Sequence, residues 1–94
     1  MDALVEEVRA ELHLLVPLVD PSGLPQAVRQ QYRDRIHDAE EISTLRGIAS
    51  ELISVADGAA LIALERGEPV RFERSCLAAK ELHIILVALA RLRF

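Results

Sequence analysis

From Pro25 to Glu65 the chain runs without another proline, and aliphatic side chains fall on more than one helical face along the way. Gly23-Leu24-Pro25 opens the run, and proline is pre-shaped for a first helical turn. Leu24, Val28, Tyr32, Ile36 and Ala39 draw an early stripe. From Ile42 the pattern becomes heptad-like, with Ile42, Ala49, Ala56 and Ala63 on one line and Leu45, Leu52 and Ala59 on the adjoining one. Alanines at such a seam let another helix approach closely. Ile48, Ile53, Val55 and Ile62 lie off the seam, and a helix that is apolar all round is a buried one. Two short neighbours in one small chain cannot cover that much apolar surface, so a second chain is expected against it.

The glycines and prolines punctuate the rest. Gly47 is tolerable inside a helix, while Asp57-Gly58 reads as a break, because glycine weakens a helix by about 1 kcal/mol relative to alanine. Gly67-Glu68-Pro69 reads as a stop followed by a restart. Upstream, Leu4, Val8, Leu12 and Leu15 form one helical stripe behind a candidate N-cap at Asp2, and Pro17 ends or bends that helix. Downstream, Phe72, Cys76, Ala79, His83 and Leu86 trace one stripe, and Leu82, Ile85, Leu89 and Leu92 another. By Ile84 most of this last helix is apolar, which predicts a central position in the fold or in an interface. The expected fold class is therefore all-α. It is one domain, 1–94, forming a small antiparallel bundle with one long central helix. Helices are expected near 2–16, 25–57, 59–66 and 69–92, with the bundle completed by homodimerisation. Ile42, Leu45, Ala49, Leu52, Ala56, Ile85 and Leu89 are expected to pack in the core or the dimer.

Composition narrows the function classes. A chain of 94 residues buries only about 60–70% of its unfolded surface and is marginal alone. Its three aromatics are Tyr32, Phe72 and Phe94, so the core must be built from aliphatic residues. The formal charge of −4 disfavours binding that depends on neutralising nucleic-acid phosphates. Arg29, Arg33 and Arg35 sit together but alternate with Asp34 and Asp38, which reads as a solvated helix face with i,i+4 ion pairs. Cys76 is the single cysteine, which rules out a disulfide within the chain and makes a reducing cytoplasm the expected location. The acidic, amphipathic start does not resemble a signal peptide. The apolar run from Leu82 to Leu92 is broken by His83 and Arg91 and is far short of the roughly 20 residues that span a bilayer. No membrane association is expected.

Little chemistry is on display. His13 follows Glu11 by two positions and His83 follows Glu81 by two, and residues two apart on a helix point away from each other. Asp34, His37, Asp38 and Glu41 share one surface of a continuous helix, but the paired Glu-x-x-His motif of a di-metal bundle is missing. His37 is expected to be exposed and His83 to be a satisfied residue at a helix contact. Cys76 falls among core positions and reads as a small buried hydrophobe. Thr44-Leu45-Arg46-Gly47-Ile48-Ala49 resembles the core line of histidine-phosphotransfer bundles, but Ser43 stands where the phosphorylated histidine would be. No phosphate loop or nucleophile elbow occurs. The chain is not expected to be an enzyme, and no catalytic, cofactor-binding or metal-binding residue is assigned.

One arrangement carries a resemblance. Glu11-Leu12 and Leu15-Val16 precede a proline-containing link. Gly23-Leu24-Pro25 then opens a long helix, with Asp34, Ile36 and Glu51-Leu52 further on, and Val70-Arg71-Phe72 follows a loop ahead of Leu86 and Leu89. Across about residues 11–90 this resembles the TraM quorum-sensing antiactivators. The chain departs from them in an extra Asp20-Pro21-Ser22 and in a helical Ala59–Glu65. The resemblance implies a cytoplasmic all-helical homodimer that binds a LuxR-type transcription activator and blocks its DNA binding by stoichiometric sequestration. QslA-type antiactivators do the same by a different docking mode. The alternative is a generic helical adaptor, chaperone or antitoxin-like module without catalytic activity. An interface of this kind draws on a few desolvated apolar or aromatic anchors. Leu14, Leu18, Tyr32, Phe72, Leu82 and Phe94 are the candidates for partner binding, with Ile85 and Leu89 beside them, and for each ordinary core is the favoured competing reading.

Overall fold

The computed structural model describes residues 3–19 and 26–91. Four helices follow in order: α1 (Ala3–Val19), α2 (Gln26–Asp38), α3 (Ile42–Glu65) and α4 (Pro69–Arg91). The fold is an all-α bundle. Its most extensive packing joins α3 to α4 as an antiparallel hairpin, and α1 lies across both. The shorter α2 packs mainly on α1. The extents of 44 × 28 × 16 Å fit two layers of helices whose axes lie roughly 8–10 Å apart.

The core is aliphatic. Val8, Leu12, Val16 and Val19 of α1 meet Ile36, then Leu45, Ile48, Leu52 and Ala56 of α3, then Ala78, Leu82 and Leu89 of α4. Small residues line the α3–α4 seam, where Ala49, Ala56, Ala60 and Ala63 face Ser75, Ala78 and Ala79, all buried. Side chains this small let two long helices approach closely. Of the residues assigned to core or dimer packing, Leu45, Ala49, Leu52, Ala56 and Leu89 are buried inside the chain, with Ile42 and Ile85 packed against their edge.

Three boundaries differ from the sequence expectations. First, the stretch from Pro25 is not one helix to Asp57, because α2 ends at Asp38 and α3 begins at Ile42. Neither glycine nor proline marks this break. Ile36 and Leu45 are both fully buried, yet nine residues of continuous α-helix would set them on roughly opposite sides. The chain must turn between them for both to reach one core. Ala39 is buried, and its N–H donates to the Ile36 carbonyl at 3.3 Å. Its own carbonyl, one of the acceptors a helix end leaves open, takes a hydrogen bond from the Arg9 guanidinium. Glu41 is extended (φ −124°, ψ 146°) and starts α3 without a side-chain cap.

Second, α3 runs unbroken through Asp57-Gly58 to Glu65, so the separate helix at 59–66 does not exist. Ile53, Ala56, Ala60 and Ala63 are all buried. Their spacing of three, four and three keeps one stripe in phase across the glycine, and that packing outweighs a propensity deficit of about 1 kcal/mol. Third, α1 continues past Pro17 to Val19. Pro17 is exposed, while Val16 and Val19 beside it are anchored in the core.

The stop at Gly67 is as expected, and its geometry is a Schellman motif. Gly67 has φ +67°. Its N–H reaches the Leu64 carbonyl at 3.2 Å, and the Glu68 N–H reaches the Ala63 carbonyl at 2.9 Å. Pro69 then opens α4, in the position where a missing N–H costs nothing.

Candidate partner interface

Helix α4 carries apolar residues on two opposite faces. The inner face, with Ser75, Ala78, Ala79, Leu82 and Leu89, is buried. The outer face holds Val70, Leu77, Ile84 and Val87, each between 50% and 63% exposed. Val70, Leu77, Ile84 and Arg91 recur every seven residues, as do Glu73, Lys80 and Val87. That is the spacing of a coiled-coil seam with charged residues at its ends and middle. Lys80, His83, Ile84, Val87, Ala88 and Arg91 line a shallow depression along it. Among the described residues the ion pairs are Arg35–Glu51 and Arg71–Glu68, so Glu73, Lys80 and Arg91 form none.

A second patch sits at the tip of the α3–α4 hairpin. Leu61 and Leu64 are about 60% exposed. Leu64 also lines a small apolar hollow with Ala63, Gly67, Pro69 and Phe72. A third feature is a groove of about 400 Å³ between α1 and α4, lined by Leu4, Val8, Ile85 and Leu89 and edged by Glu7 and Glu11.

The predicted partner residues scatter across these features. Leu14 is strongly exposed on α1, at 67%. Phe72 is half-buried at the hairpin tip. Leu18 and Tyr32 are half-buried and pack on the core, with the Arg35 guanidinium 5.4 Å from the centre of the Tyr32 ring. Leu82 is fully buried and offers no surface to a partner. It belongs to the core, because it falls on the inner face of α4 one turn from Ala78 and Ala79. Phe94 lies outside the described residues.

Other expectations are corrected. Cys76 is exposed and not a core hydrophobe. His83 is exposed and not a helix-contact residue. Both belong to a stripe assigned one helical step away from the buried one. The end of α4 near Ile84 is half covered within the chain and so does not lie at the centre of the fold, the first of its two expected positions. Arg29 and Arg33 are half-buried and form no i,i+4 ion pair with the neighbouring aspartates. Asp34 accepts instead from Gln30 at 2.9 Å. Arg35 reaches Glu51 on α3 through two bonds of 3.0 and 2.5 Å. The break at Ala39 also removes Glu41 from the surface it was expected to share with His37. Among the described residues, no three of His, Cys, Asp and Glu stand close enough to hold a metal ion.

The outer seam of α4 and the hairpin-tip leucines are functional candidates that sequence reasoning passed over. The seven-residue spacing of Val70, Leu77 and Ile84 is the signal in the sequence that marks the outer seam. By length and composition α3 is also apolar enough to cross a membrane, although in this fold it is the core helix. No family model, curated protein or solved structure matches the chain.

Proposed function

We propose that this protein works by binding other proteins and not by catalysis. Its two partners are a second copy of itself and a LuxR-type transcription activator, whose DNA binding it blocks in the cytoplasm by stoichiometric sequestration. The observation that carries the binding role is the outer face of α4, where Leu77, Ile84 and Val87 stay half exposed on a rigid helix. Aliphatic side chains at heptad spacing invite a helix to pack against them.

Charge favours a second copy as the occupant of that face. Two parallel α4 helices would set Glu73, Lys80 and Arg91 each against its own like charge. An antiparallel pair sets Leu77 against Val87, Ile84 against Lys80, and Glu73 against Arg91. Opposite charges at the ends of the seam select orientation and partner. The activator as target is supported by the TraM-like residues, Gly23-Leu24-Pro25 and Val70-Arg71-Phe72 among them. Leu14 on α1 and Phe72 with Leu64 at the hairpin tip remain accessible for it when α4 is paired.

Two measurements test the two partners separately. Light scattering at micromolar concentration is expected to give twice the chain mass. Glu73→Arg and Arg91→Glu are each expected to shift the equilibrium toward monomer, and their combination to restore the dimer. A monomeric wild type refutes self-association. For the target, the protein is expected to co-purify with a LuxR-type regulator and to abolish its operator shift at equimolar amounts. A regulator that still shifts its operator at excess protein refutes that assignment and leaves a generic helical adaptor, chaperone or antitoxin-like module.

A further inference from the structure

The seam between α1 and α2 collects positive charge on a chain whose formal balance is −4. Arg9 and His13 stand one turn apart on α1, and Arg29, Arg33 and His37 occupy successive turns of α2. The two rows face each other. Arg9 reaches across to the Ala39 carbonyl beyond the end of α2, and His13 feels the charges of His37, Arg9 and Arg33 directly. Arg9, His13, Arg29 and Arg33 are all half-buried. None of the three arginines belongs to an ion pair among the described residues. The Nε atoms of Arg9 and Arg29 are buried and have no acceptor there.

Such an arrangement is unfavourable as it stands. Buried polar groups normally have partners, and leaving a charged donor unsatisfied costs more than a neutral one. The nearby acids do not relieve it. Glu6, a turn before Arg9, and Asp38, on the neighbouring row of α2, are exposed, and Asp34 is engaged by Gln30. Burial, followed by the neighbouring His37, Arg9 and Arg33, holds the His13 imidazolium pKa below its ordinary value of 6.5. The seam therefore resists adding a further positive charge of its own.

We infer that the α1–α2 seam is an anion site, in which Arg9, His13, Arg33 and His37 bind a phosphate group, either free or as a monoester, while Arg29, two turns before His37, adds its charge to the seam. Guanidinium groups present planar forks of donors that match phosphate oxygens. Donors contributed by two neighbouring helices suit a compact tetrahedral anion better than an extended polyanion, which the acidic balance of the whole chain repels. A bound dianion reverses the local field, so His13 takes up a proton more readily in the complex than in the free protein.

The test uses the full chain and its three histidine ring resonances. Inorganic phosphate and glycerol phosphate are titrated separately, against sodium chloride at matched ionic strength. Saturable shifts of His13 and His37 are expected, with His83 on α4 unmoved and the His13 pKa raised. Saturation by phosphate alone marks a free-anion site, and saturation by both marks a site for the monoester group. Arg33→Gln and His37→Gln, each checked for native helicity, should weaken binding about tenfold or more, as loss of one charge-assisted hydrogen bond implies. Arg35→Gln, two positions from each but directed at Glu51, should leave it unchanged. Shifts no larger than chloride produces, or variants that bind as wild type does, overturn the inference. Regulator binding is measured without phosphate, so failure here leaves the protein-binding proposal untouched.

Discussion

Replacing Gly58 with alanine decides whether α3 is one helix or two. Gly58 sits in mid-helix. A Cβ built there meets nothing within 4 Å, and its φ is not positive. Alanine should therefore enter without strain and remove the entropic penalty of glycine, a gain of about 0.8–1.0 kcal/mol. Gly47 meets the same conditions on the exposed side of α3, and the two sites are far enough apart to add. Together they should stabilise the protein by about 2 kcal/mol. For a domain this size that raises Tm by roughly 8–16 °C, at 4–8 °C per kcal/mol. Gly67 is the internal control. Its φ of +67° is a left-handed conformation that costs other residues roughly 1–2 kcal/mol, so Gly67→Ala should lower Tm. The assay is thermal unfolding followed by helical circular dichroism, at one protein concentration so that self-association does not shift the midpoint. If Gly58→Ala is neutral or destabilising while Gly47→Ala stabilises, the chain breaks at Asp57-Gly58 and the continuous helix is refuted.

Ser75 is 1% exposed and its Oγ has no partner, so Ser75→Ala should stabilise by about 1–3 kcal/mol, the cost of an unsatisfied buried hydroxyl; a destabilised variant in urea titration would mean the hydroxyl is bonded. Leu45→Asp should unfold the chain, because it buries a charge in a core whose total stability is on the order of 5–14 kcal/mol. Ile84→Lys, on the outer face of α4, should instead stay folded and helical while giving a monomeric mass, with a Tm that no longer rises with protein concentration, and an unfolded Ile84→Lys would place that face inside the core. The Arg35 hydrogen bonds hold the Glu51 carboxyl below its ordinary 4.5. Their stabilisation is present above that pH and lost as pH falls through the lower folded value. Both side chains are nearly half exposed, so the effect is limited to roughly 0.2–1 kcal/mol. Acid titration of Glu51→Gln should show a correspondingly flatter stability profile, and identical profiles would mean the pair contributes nothing.

The helical class, the Gly67 stop and most core positions were legible because each has a local cause. A positive-φ glycine followed by proline ends one helix and begins another wherever it occurs, and Leu45, Ala49, Leu52 and Ala56 repeat at helical spacing. The break at Ala39 was legible in a subtler way. The apolar stripe through Val28, Tyr32 and Ile36 changes phase at Ile42, and a phase change within one run means that one straight helix cannot bury both halves. Without glycine or proline there, it read as a change of pattern inside a single helix. The opposite error occurred at Gly58, where a strong local signal was overridden by burial on both sides of it. The basic seam could not be read at all. Arg9 and His13 are separated from Arg33 and His37 by the whole α1–α2 connection, and only packing sets the two rows together.

The size pattern on α4 links fold to function. A helix serving one core places large aliphatics inside and polar residues outside. Here the inner face is mostly small, with Ser75, Ala78 and Ala79 against the alanines of α3, while Val70, Leu77, Ile84 and Val87 point outward. Small inner residues favour close approach of the two long helices, but each buries little area, so the hairpin gains less from hydrophobic transfer than leucines would give at roughly 25 cal/mol per Å². The large side chains that could supply that area are on the other side, where they stay half exposed. The same feature that limits the hydrophobic gain of the hairpin therefore leaves large aliphatic side chains exposed on α4. Covering Leu77, Ile84 and Val87 would link stability to concentration, so that association and folding of α4 reinforce each other.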